Sequence, residues 1–218
     1  MKTTSVSRRR FVQSAAGAAT GVVLFPALAC STGTPSAPAD NSNLVGPLPG
    51  YSPQIGTLVS MMHWMRGVVL SSVQSLGQSQ LDHLFDPQAN IIGAMLLHLA
   101  ATEAFYQATT FDGRNGYNAQ EQKRWGAVMG LGPAGRHAIK GQDLPYYLAT
   151  LQEVREKTLT ELRRRDDAWL AAVDPAFFGN QPTNNYCKWF HVVEHESNHN
   201  GQIKWLKSRL PGAKPAEE

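Results

Sequence analysis

Apolar residues recur every three to four positions in four stretches of the chain, and each stretch opens with residues suited to starting a helix. Ser52-Pro53 precedes Leu58, Met61, Met62, Met65, Val68, Val69 and Val73, predicting a first helix that ends near Leu76-Gly77. Proline fits the first helical position, and serine can accept a free backbone N–H. Asp86-Pro87 predicts a second helix from about Gln88 to Phe111. Asp143, with Pro145 just inside, predicts a third through Tyr147, Leu151, Val154, Leu159, Leu162, Trp169 and Leu170. The fourth starts near Thr183 or Asn184 and runs to the Leu210-Pro211-Gly212 terminator.

No segment alternates with the two-residue period of a half-buried strand. The stretch from Asp112 to Gln142 is glycine-rich and weakly periodic, and reads as a long excursion with one short helix near Glu121 to Val128. These elements predict an all-α chain: an antiparallel up-down-up-down four-helix bundle over residues 51–212, with a long loop between helices two and three. Residues 213–218 read as a disordered tail.

The apolar stripes are interrupted by histidine. On the fourth helix the core-facing positions are Val192, 195, 199, Ile203, Leu206 and Leu210, and two of them are His195 and His199. On the second, Ile91, Met95, position 98, Thr102 and Phe105 share a stripe, with His98 at its middle. A buried polar group without a partner costs about 1–3 kcal/mol. Three such imidazoles at one depth would consume much of a domain's stability of ~5–15 kcal/mol. A divalent cation accepting a lone pair from each removes that cost. The i, i+4 pair on one helix and a third histidine on a facing helix make a three-ligand face, which leaves a position open for water or substrate. His191, one turn before His195, is an alternative fourth ligand. His63, His83 and His137 match neither stripe.

Around these residues the chain resembles the DinB-like (DinB/YfiT-like) four-helix-bundle metal proteins. His195-Glu196-Ser197-Asn198-His199-Asn200-Gly201-Gln202-Ile203 is similar to that family's closing-helix signature, with Trp189 to Glu194 before it and Leu206 to Pro211 after it. His98, in Leu96-Leu97-His98-Leu99-Ala100-Ala101-Thr102-Glu103, matches the family's metal histidine on helix two. The resemblance extends from about Gln54 to Pro211. One departure is Asn200, where the family commonly has arginine. The resemblance implies a zinc- or nickel-type site and a metal-dependent transferase or hydrolase acting on a small molecule, in several related groups with a small thiol as co-substrate. Glu103, Glu194 and Glu196, near the ligands in sequence, are candidate catalytic bases or supports for the ligands, and Tyr106 is another.

Two other readings stand beside this one. His195-Glu196-Ser197-Asn198-His199 also satisfies the His-Glu-x-x-His pattern of zinc peptidases. Such enzymes take a third ligand downstream, however, and after His199 only Glu217 and Glu218 follow as acids, with no further histidine. The third reading is a non-catalytic metal-binding envelope protein, its open position closed by His191 or a carboxylate.

Charge and composition narrow the partners. The chain is 218 residues long, 42% hydrophobic and 17% charged, enough for one ordinary core. The formal charge of +3 comes from the start: Lys2, Arg8, Arg9 and Arg10 are four of 20 basic residues, which leaves 16 against 17 acidic ones. A body so close to neutral has no electrostatic footprint for nucleic acid.

Residues 1–29 read as an export signal. Ser7-Arg8-Arg9-Arg10-Phe11-Val12, followed by a mildly apolar run from Ala15 to Leu28, resembles the twin-arginine type, with an ordinary secretory signal as the alternative. Ala27-Leu28-Ala29 fits cleavage of a soluble product. With Cys30 it also fits a lipoprotein, anchored to the membrane through that cysteine and tethered by a flexible linker over residues 30–50. The expected destination is the periplasm or cell envelope. Cys187 is then left alone, so no disulfide framework supports the fold. Trp64, Trp189 and Trp205 read as core or interface packing. A homodimer is a separate expectation that no particular residues carry.

Overall fold

The computed structural model describes residues 43–214. The export signal, Cys30 and the last four residues of the tail lie outside them. The described chain is all-α: α1 (Pro53–Val73), α2 (Gln78–Leu81), α3 (Ile92–Tyr106), α4 (Ala119–Met129), α5 (Gly132–Ala138), α6 (Leu144–Leu162), α7 (Asp167–Ala171) and α8 (Asn185–Lys207). A two-residue antiparallel pair, β1 (Val173–Asp174) with β2 (Thr183–Asn184), leads into α8. Among the described residues no helix is long and apolar enough to cross a membrane.

Four long helices carry the core. α1 packs along α8, α3 lies against both α6 and α8, and α1 also meets α6. Every residue of α3 except Phe105 is buried, so this helix occupies the centre. The starts of α6 and α8 follow their sequence signals, since Asp143 accepts from the Tyr146 N–H and Asn184 from the Cys187 N–H, at 3.0 and 2.8 Å.

The other predicted boundaries shift, each for a local reason. Ser52 does precede α1, but its hydroxyl donates to Asp167 Oδ1 at 2.5 Å instead of capping the helix. The same carboxylate accepts the Gln54 and Ile55 N–H groups, so α1 is capped from α7. Asp86-Pro87 starts a turn and not the second long helix: Asp86 Oδ1 accepts from the Gln88 and Ala89 N–H groups, and α3 begins only at Ile92. The third long helix stops at Leu162. Trp169 and Leu170 belong to α7, restarted by Asp166, which accepts from the Trp169 N–H. The Asp112–Gln142 excursion holds two helices, α4 and α5, rather than one short helix in a long loop.

Beyond Tyr106, α3 widens into a turn of π-helix, Gln107–Phe111. The Thr109 and Thr110 hydroxyls donate back to the Phe105 and Tyr106 carbonyls at 3.1 and 2.6 Å, competing for the helical ladder. Such turns are frequent beside functional sites.

The buried apolar residues form two clusters. One gathers Val69, Val73, Ile92, Met95, Leu96, Leu151, Val154, Ile203 and Leu206. The other gathers Ile55, Leu58, Met62, Tyr106, Leu162, Trp189 and Val192. Between these apolar stretches α1 carries Arg66, α6 Arg155, and α8 the run from His195 to Asn200, a polar layer across the middle of the fold.

Candidate metal centre

His98 on α3 and His195 and His199 on α8 converge within this layer, their ligand nitrogens all within 4.8 Å of one another. Ring centroids are 4.9 Å apart for His98 with either partner, and 4.5 Å for His195 with His199. His98 and His199 are buried and His195 half-buried. These are the three histidines singled out by the stripes. Among the described residues His63 and His137 are exposed, and neither they nor His83 joins the cluster.

The environment keeps the rings neutral. Burial, with the neighbouring imidazoles His199, His98 and His191, pushes His195 down to about 3. Burial and His98 push His199 down to about 4 against an opposing contribution from Gln202. Burial also lowers His98, although the Val128 and Met129 backbone opposes it. Neutral imidazole is the form that binds a metal.

His98 Nδ1 lies 3.0 Å from the Val128 carbonyl of α4, and a carbonyl can only accept. The hydrogen therefore sits on Nδ1, leaving the Nε2 lone pair directed into the cluster. Nε2 of His195 is 2.8 Å from that atom and 3.4 Å from the Thr102 hydroxyl. His199 Nδ1 is buried with no hydrogen-bond partner. Three neutral imidazoles on rigid helices, one of them with an unpaired buried nitrogen, suit a divalent cation that prefers imidazole, as zinc and nickel do.

His191 is turned elsewhere. Its Nδ1 pairs with the Tyr106 hydroxyl at 2.8 Å, and its Nε2 faces the exposed Glu194 carboxylate at 3.9 Å. Burial lowers its pKa, opposed by Glu194. Phe178 packs edge-on against the same ring.

The candidate carboxylates divide. Glu103 and Glu196 are buried and bound to two arginines that the sequence reading did not select. Glu103 accepts from Arg155 Nε at 2.8 Å and from Arg66 Nη2 at 3.0 Å. Glu196 Oε1 accepts from Arg66 Nε and Nη2 at 2.9 and 2.6 Å, and from Arg155 Nη2 at 2.8 Å. Burial raises the Glu103 pKa, but Arg155 and Arg66 outweigh it and hold the carboxyl below its ordinary value. Neither arginine stood out in the sequence, where no motif or histidine stripe includes them. The available signal was their place in apolar stripes, Met62-Arg66-Val69 and Leu151-Arg155-Thr158.

A family model described as mycothiol-S-transferase matches residues 57–212, which include all three histidines. The chain belongs to the mycothiol-S-transferase family. This family is part of the DinB/YfiT-like superfamily, as the resemblance at the two histidine motifs implied. A comparison with curated proteins gives no match. Among the described residues of this mycothiol-S-transferase family member, the three-histidine cluster is a group able to hold a metal ion.

A cleft of about 520 Å³ is lined by Met95 and Gln202, each one helical turn along the chain from His98 or His199, and by Asn90, Asn198 and Trp205, but by none of the three histidines. A second, of about 510 Å³, lies along α3 and α4 by Phe105, Tyr117 and Met129.

Proposed function

We propose that the protein is an exported, metal-dependent transferase of the thiol-using type, with one divalent ion, zinc or nickel, held by His98, His195 and His199 in an up-down-up-down bundle. The observation that carries this reading is the convergence of three neutral imidazoles from two helices in the fold's interior. The family's name adds the co-substrate class, a small thiol. When bound, such an ion lowers the pKa of a thiol or water at its open position and so supplies a nucleophile near neutral pH.

The chain's own residues do the rest. Val128 fixes the tautomer and orientation of His98, and the surrounding apolar clusters keep the three rings neutral. Glu194 is the one candidate carboxylate without a guanidinium on it, and it stands 3.9 Å from His191 Nε2, near enough to favour the charge on a His191 that takes a proton from an incoming thiol. Water in the thiol's place would make the same centre a hydrolase. That chemistry stays in the reading because small cytosolic thiols are scarce outside the inner membrane.

The peptidase alternative requires Glu196 to polarise a water at the metal, whereas its Oε1 is held by Arg66 and Arg155 and its Oε2 is buried without a hydrogen-bond partner. A closed four-histidine storage site requires His191, whose Nδ1 is engaged by Tyr106.

The test is metal analysis of protein purified without an affinity tag, followed by a thiol-consumption screen with small electrophiles and an ester-hydrolysis screen. The reading expects about one ion per chain, none in His98→Ala, and turnover that depends on the ion. A tightly held ion without turnover in either screen would favour the non-catalytic metal-holding protein, and no ion would end both.

A further inference from the structure

Arg66, Glu103, Arg155 and Glu196 come from α1, α3, α6 and α8, one from each long helix, and all four are buried. Arg155 grips Glu103 with Nε and Nη2 at 2.8 and 3.1 Å and reaches Glu196 with the same Nη2 at 2.8 Å. Arg66 reaches both carboxylates from the other helix. The remaining arm of each guanidinium is tied to main chain: Arg66 Nη1 donates to the Leu151 carbonyl on α6, and Arg155 Nη1 to the Met62 carbonyl on α1, both at 3.0 Å. Burial disfavours the Arg155 charge, and the two carboxylates outweigh it.

Such a cluster is a poor way to stabilise a core. Desolvating two ion pairs costs about as much as their attraction returns, and apolar side chains of similar volume often do as well. What it does supply is register, because a planar fork accepts partners in few orientations.

The positions in register are those of the metal centre. Glu196 directly follows His195, and Glu103 directly follows Thr102, whose hydroxyl lies against His195. Neighbouring residues on a helix point about 100° apart. Holding Glu196 and Glu103 against the guanidiniums therefore fixes the rotation of α8 and α3 that presents His195, His199 and His98 to one another. α1 and α6 contribute no ligand, yet their arginines meet both ligand-bearing helices at a single point.

We propose that Arg66 and Arg155 are positioning residues for the histidine centre, setting through Glu103 and Glu196 the rotation of the two helices that carry the ligands before any ion arrives. This inference rests on the metal reading above and is independent of the thiol chemistry. Arg155→Lys keeps the charge but loses the fork, and Glu103→Gln keeps the shape but loses the charge. Both should bind zinc about 10-fold or more weakly in competition with a chelator, the loss typical when a partner that orients metal ligands is removed. The cobalt(II)-substituted proteins should show an altered visible absorption band. Leu81→Ala, a core truncation at α2, controls for lost stability and should leave affinity and spectrum as in the parent. Affinity within twofold of the parent in both charge variants, or equal weakening in Leu81→Ala, overturns the proposal.

A second measurement needs no variant. In the metal-free parent, amide exchange at 98–103 and 195–200 should already be slow, and free exchange there until zinc is added also overturns it. A parent chain that binds no ion removes the metal reading and this inference together, whereas a parent that binds while the variants bind equally removes this one alone.

Discussion

His98 Nε2 and His195 Nε2 stand 2.8 Å apart, although the residues lie 97 positions apart in the chain and on different helices. Because His98 carries its hydrogen on Nδ1 for Val128, its Nε2 can only accept here, and His195 Nε2 must donate. Protonating His98 removes that acceptor and sets two donors against each other. The metal-free centre is therefore an acid-sensitive point of the fold.

The sign follows from linkage. His195 and His199 have folded-state values of about 3 and about 4, below their ordinary value of 6.5. The unfolded chain thus binds protons first as pH falls. Their contribution to stability is complete above about pH 6.5 and is lost progressively as pH drops toward 4 and then 3. Scanning calorimetry of chelator-treated protein should show Tm falling across that window, with a shallower fall in His195→Ala. A Tm independent of pH between 6.5 and 4 would contradict the buried neutral cluster.

His191 offers a clean test of the ligand set. With Nδ1 on Tyr106 and Nε2 toward Glu194, it should be dispensable for metal binding. His191→Ala is expected to retain one ion per chain at affinity within about threefold of the parent, less than the ~10-fold expected of an orienting partner. Its turnover should fall if Glu194 and Tyr106 act through it. Loss of the ion would make it a ligand after all.

At Gly93, α3 packs against the Tyr147 side chain of α6. A Cβ there would meet the Tyr147 hydroxyl at 2.5 Å and its ring carbon at 2.8 Å. Gly93→Ala should therefore destabilise the fold by about 1–3 kcal/mol through overpacking. The Tyr147 hydroxyl is buried without a partner, so Tyr147→Phe alone should be close to neutral. In the double variant the clash is partly relieved, and urea denaturation should give a loss smaller than the sum of the singles. Strict additivity would mean that the two residues do not meet.

Export is tested on the precursor. If Arg8 and Arg9 direct a twin-arginine route, changing both to lysine should leave full-length precursor inside the cell, read by fractionation and immunoblot. A chain lipidated at Cys30 should incorporate labelled fatty acid and lose the label in Cys30→Ser. Unchanged export of the lysine variant would point to an ordinary secretory signal.

What the sequence determined by itself was whatever helical period encodes. Stripes of apolar residues marked the four long helices, and His98, His195 and His199 stood out because each occupies a position where such a stripe calls for an aliphatic side chain. Asp143 and Asn184 announced their helices because a cap acts on its own next turn. Asp86 did not, since the same side-chain chemistry serves a turn as well as a helix start. The tertiary structure decided everything that depends on a partner remote in sequence. Asp167 caps a helix more than a hundred residues earlier, Val128 sets the tautomer of His98, and Glu103 and Glu196 became halves of a charge cluster instead of free bases. Periodicity states which face of a helix is buried, but not what charge waits opposite it, and only packing four helices together brings Arg66 and Arg155 against those carboxylates.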